Sequence, residues 1–211
     1  MLASIPQDII VNYGRGAEVL ALALLERELP DSELAALSGA LDGSLVKVNA
    51  RPDGLFFNVE HSDILFQQRR LGKDELGRLY VRNLYLEKQP WARPLTGLRA
   101  LLRQLEFGRQ AGIRYLITDA AGKPGQDGLN GFYTWARYGF EADLPENRKR
   151  LLPDELAGIT TLNELMQLGG AKWWDDNGLG LEMTFDLSPN SSMMKTLLQY
   201  LAFLRKEKRW P

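Results

Sequence analysis

Few side chains in this chain could do chemistry, and their spacing narrows what that chemistry is. The one histidine, His61, follows Glu60, and an imidazole beside a carboxylate can move a proton as general acid or base. With no cysteine anywhere, a single histidine cannot build a zinc site of ordinary ligands, and there is no thiol nucleophile or disulfide. Gly122-Lys123-Pro124-Gly125-Gln126-Asp127-Gly128 is glycine-rich, but it lacks the hydroxyl residue after lysine and the helix of a P-loop, so it reads as a mobile loop over a cleft. No Ser-His-Asp order and no dinucleotide fingerprint is present. Asn147-Arg148-Lys149-Arg150 is a short basic run of the kind that stays solvated. Trp173-Trp174 point in different directions on any regular element, so at least one belongs to a core.

These residues need elements to hold them. Residues 15–28 read as a helix stopped by Pro30, and Asp31 or Ser32 can cap a second one with Leu34, Leu37 and Leu41 on one face. Strand character follows at 44–49, resumes at 55–59 after the Asp53-Gly54 turn, and returns at 64–69. A polar turn at 73–77 leads into the strand 78–86. Leu98, Leu101, Leu102 and Leu105 recur at helical spacing, and Gly112 ends that helix before the strand Tyr115-Leu116-Ile117-Thr118. A strand–helix–strand unit with such short connections calls for two parallel strands and a right-handed crossover. After Phe140 the chain is irregular, with Thr161 and Glu164 at capping-box spacing. The segment 173–178 reads as the end of an element and a turn. A strand at 181–187 and a final helix at 190–208 complete the chain. No internal repeat or linker interrupts it, so one domain over 1–211 is expected, with its core at 15–187.

The stretch 79–140 resembles the GNAT superfamily, the acetyl-CoA-dependent N-acyltransferases. The resemblance is most specific over Asn130-Gly131-Phe132-Tyr133-Thr134-Trp135-Ala136-Arg137-Tyr138-Gly139-Phe140, which is similar to the family's fourth helix and following Gly-Phe turn. It implies an α/β (α+β) fold: a mixed central sheet, antiparallel meander plus a splayed parallel strand pair, with helices on both faces. It further implies that backbone at Leu84 and Leu86 takes the pantetheine arm of acetyl-CoA or another acyl-CoA. The helix start at Arg93, Thr96, Gly97, Leu98 and Arg99 would then face the pyrophosphate, where free N–H groups and the helix dipole favour anions. Glu87, ending the strand, is the implied general base, with Glu60 and Asp119 as alternatives. Asn130 would bond the cofactor arm or cap its helix. The family's leaving-group tyrosine falls on Trp135, so Tyr133 becomes the proton donor. The family's Gly-x-Gly/Ala phosphate signature is also reduced to Gly97, and the other reading of this loop is that Thr96 merely caps the helix.

Twenty-six basic against 27 acidic residues leave a net charge of −1, which argues against nucleic acid or an anionic membrane as partner. The most apolar run, 17–25, is far shorter than the roughly 20 residues of a spanning helix, and a cytoplasmic protein is expected. The expected function is acyl transfer from acyl-CoA to an amine on a small molecule or protein, without a metal, and a homodimer is compatible with it. A GNAT fold serving as a binding or regulatory module, or as an effector or toxin domain, is the alternative.

Overall fold

A computed structural model describes residues 3–126 and 128–209. Asp127, in the glycine-rich loop, lies outside the described residues. The protein has a mixed α/β fold in which seven strands are hydrogen-bonded in chain order, β1 to β7, as one sheet. The chain divides into two compact units, one ending at Leu116 and the other beginning at Ile117.

The first unit opens with β1 (Ile10–Tyr13), which sequence periodicity missed because four residues are too few to show alternation. It pairs in parallel with β2 (Leu45–Arg51). Between them lie α1 (Ala17–Leu25) and α2 (Asp31–Leu37). Helix α1 ends well before Pro30, because Glu26 turns into the left-handed region at φ 58° and its N–H closes on Leu22 O. Pro30, rather than Asp31 or Ser32, occupies the N-cap of α2, and the Asp31 carboxylate instead accepts from Tyr13 Oη at 2.7 Å. Strands β3 (Gly54–His61), β4 (Ile64–Lys73) and β5 (Leu79–Lys88) follow as an antiparallel meander with β2. Gly54 is required at the first turn: its φ is 141°, and a Cβ there would stand 2.4 Å from Leu71 O.

Helix α3 (Thr96–Gln110) joins β5 to β6 (Tyr115–Ala120). The two strands start side by side. Arg114 N donates to Leu79 O at 2.8 Å, and the Tyr80 and Tyr115 rings stack with centroids 5.8 Å apart. The leucine stripe Leu98, Leu101, Leu102 and Leu105 is fully buried, as its helical spacing requires. With Leu34, Leu37, Phe57, Leu71 and Val81 it makes the core of this unit.

In the second unit, α4 (Gly131–Arg137), α5 (Glu146–Lys149), α6 (Leu162–Gln167) and α7 (Ala171–Asn177) precede β7 (Leu181–Asp186) and α8 (Ser192–Lys206). The expected capping box forms: Thr161 accepts from Glu164 N, and the Glu164 carboxylate reaches back to Thr161 N. Residues 173–177 are the end of α7, which stops at Gly178 as the segment 173–178 led one to expect, and Trp174 is fully buried with its indole N–H on Phe132 O at 3.0 Å. Phe140 and Phe185 pack edge to face at 5.3 Å. Among the described residues no helix is long and apolar enough to cross a membrane.

Candidate functional site

The start of α3 is an open helix end. Leu95 holds the N-cap in the left-handed conformation at φ 62°, where a leucine side chain is disfavoured. Such strain persists only where the surroundings impose it, and it gathers at sites that bind. Thr96 does not cap the helix. It is the first helical residue, almost fully buried, and its hydroxyl donates back to Arg93 O at 2.7 Å. No side chain caps this end, and no backbone acceptor among the described residues takes the N–H of Gly97 or Leu98. Leu98 sends its side chain into the core, so only its amide is available. Arg99 is half-buried, and no carboxylate among the described residues pairs with it.

The loop leading into this end is held by the β3–β4 turn, a feature that residue spacing did not reveal. Gln89 N donates to Asp63 O at 3.1 Å, Trp91 Nε1 to Ser62 O at 3.2 Å, and Arg93 Nε to the Asp63 carboxylate at 2.6 Å. The guanidinium of Arg93 holds Asp63 below the usual carboxylate range, against the opposing effect of burial. His61 belongs to the same brace. Asp63 N donates to its Nδ1 at 2.9 Å, which leaves Nε2 to carry the proton and donate to Asp42 O at 3.1 Å. Asp42 in turn accepts from Arg103 at 2.7 Å and from Gln7 N at 3.0 Å. Burial works against the charge of Asp42, but these donors hold its carboxyl below the ordinary range. His61 and Arg93 therefore have structural partners, and Arg93 reaches the helix end already paired.

Strand β5 is irregular where it approaches this helix end. Gln68 pairs with Tyr85 but Arg69 pairs with Asn83, so Leu84 is an extra residue forming a β-bulge. Beyond it, Leu86 leans over the helix start: a Cβ added at Gly97 would meet Leu86 Cδ2 at 3.3 Å. Glu87 is exposed and pairs with no side chain among the described residues, Lys88 included. Leu84, Leu86, Glu87, Arg93, Thr96, Gly97, Leu98 and Arg99 are thus gathered around one strand end and one helix start in the first unit.

Asn130 and Tyr133 belong to the second unit. Asn130 occupies the N-cap of α4 without capping it, and its Oδ1 accepts from Thr134 Oγ1 at 3.2 Å. Tyr133 is half-buried, with the Arg137 guanidinium 5.1 Å from its ring centroid. Trp135 and Tyr138 are core residues on the same helix, and burial raises the Tyr138 phenol above its ordinary value. Among the described residues no group of three or more His, Asp or Glu side chains could hold a metal ion.

No protein-family model matches this chain, and no curated protein or solved structure matches it either.

Proposed function

We propose that this protein is a GNAT-like N-acyltransferase, moving an acetyl or longer acyl group from acyl-CoA to an amine. The observation that supports this reading most is the uncapped start of α3, where among the described residues no backbone acceptor takes the N–H of Gly97 or Leu98 and no carboxylate pairs with Arg99. Those amides, with Arg99 and the outer edge of Arg93, would bind the pyrophosphate. The backbone of Leu84 and Leu86 would bind the pantetheine arm; the bulge leaves Leu84 without a partner in the β4 ladder, while Leu86 stays in register with Gln67. In the reaction the amine nitrogen bonds to the thioester carbonyl carbon and the carbon–sulfur bond breaks, leaving an amide and a thiolate. Glu87 would take the proton the amine gives up, and the departing thiolate would be protonated. The role of Glu87 rests on the family resemblance.

One observation favours a binding or regulatory module on the same fold. The space at Gly97 is faced by Leu86, so this glycine also serves packing rather than only close approach by phosphate. Calorimetric titration with acetyl-CoA and with coenzyme A separates the two readings. Micromolar binding that is lost in Gly97→Trp, with the thermal midpoint of the variant retained, supports the transferase. Absence of binding at millimolar concentration refutes acyl-CoA chemistry.

A further inference from the structure

Beneath α3 the first unit buries a polar row that the reading above does not use. Gln67, Arg69 and Asn83 are 0%, 2% and 3% exposed. Gln67 and Arg69 are two apart on β4, and Arg69 faces Asn83 across the ladder, so the three share one side of the sheet. Helix α3 closes over them through Gln104, whose amide donates to Asn83 Oδ1 at 2.9 Å. The end of α2 closes the other side, where Gln67 Nε2 donates to Ser38 O at 2.8 Å.

The row is incompletely bonded. Arg69 Nη1 donates to Tyr85 O at 2.5 Å and to Gln68 O at 3.1 Å, but among the described residues its Nε has no acceptor. Asn83 Nδ2 has none either, and Gln67 Oε1 has no donor. No carboxylate pairs with Arg69 among the described residues. Burial lowers the guanidinium to about 9, which still leaves it charged at neutral pH. A buried, unopposed cation is costly, and guanidinium does not relieve that cost by losing its proton. Its remaining relief is a counter-ion.

We propose that Arg69 Nε and Asn83 Nδ2 bind a small monovalent inorganic anion of halide size inside the first unit. Both unsatisfied nitrogens are donors, on residues directly opposed in the ladder, which suits an anion accepting from each. Gln67 Oε1 is an acceptor and cannot touch the anion, so a water that donates to it accompanies the ion. The residues that hold it, Arg69 and Asn83, are not among those assigned to acyl-CoA. It would tie the stability of the β4–β5 pair and its bulge to halide concentration.

Bromide is the probe. Crystals of the wild-type protein grown in sodium bromide are expected to show an anomalous peak within hydrogen-bond reach of Arg69 Nε and Asn83 Nδ2. Density there without anomalous signal means water alone and overturns the proposal. In solution, melts at constant ionic strength with bromide replacing gluconate are expected to rise by about 5 °C or more at a hundredfold excess over Kd. Arg69→Met and, as a milder change, Asn83→Leu should each abolish the rise. A wild-type midpoint that ignores bromide, or an equal rise in a folded Arg69→Met protein, overturns it.

Discussion

Replacing Asp63 by asparagine isolates the ionic part of the brace that holds the loop before α3. The carboxylate is only 10% exposed and lies 2.6 Å from Arg93 Nε, while the arginine side chain is 59% exposed. Water around the arginine screens the pair heavily, so its contribution is about 1 kcal/mol rather than the several expected of a buried pair. The backbone bonds of residue 63 to Gln89 and His61 do not involve the carboxylate and survive the change. For a chain of this size, about 1 kcal/mol lowers the thermal midpoint by about 2–4 °C at pH 7. The pH dependence is the sharper check. Arg93 depresses the carboxyl of Asp63 in the folded state, so its contribution is complete above the ordinary value of 3.8 and disappears as pH falls through the lower folded value. Melts of both proteins, followed by circular dichroism at pH 7 and at steps below pH 4, should therefore converge on acidification. A gap that stays constant into acid would show that the substitution acts through packing, and no gap at pH 7 would show that the pair contributes nothing.

Two further outcomes concern the second unit. Burial raises the carboxyl of Glu141 above 4.5, although the N–H groups of Ala142 and Asn163 both donate to its Oε1 at 3.0 Å. A raised folded value means the folded state holds the proton more tightly, so this stability is complete below the ordinary value and lost as pH rises through the folded one. Glu141→Gln keeps an oxygen for both amides and should flatten that part of the stability–pH curve; an unchanged curve would refute the assignment. Trp174→Phe removes the indole donor to Phe132 O, a carbonyl inside α4 that keeps its place in the helical ladder, and should cost about 1 kcal/mol before any cavity is counted. Urea denaturation measures it, and no loss beyond about 0.3 kcal/mol would mean that this bond contributes nothing.

The leucine stripe of α3, the Asp53-Gly54 turn and the Thr161–Glu164 capping box were all legible in the sequence. Each depends on residues a few positions apart, where backbone geometry alone decides which side chains meet. The same spacing announced the helix whose open end makes the candidate site. It did not announce that Leu95, rather than Thr96, would hold the N-cap, because left-handed backbone at a leucine is imposed from outside the segment. Nor could it show that Arg93 is already paired. Its partner Asp63 is 30 residues away, and Asp42 is 61 residues from Arg103. Arg69 illustrates the limit most plainly. On a strand that alternates sides, nothing local distinguishes an arginine turned to solvent from one turned beneath a helix. Only the register of β4 against β5, with its bulge at Leu84, and the closure of α3 over that face place the charge inside.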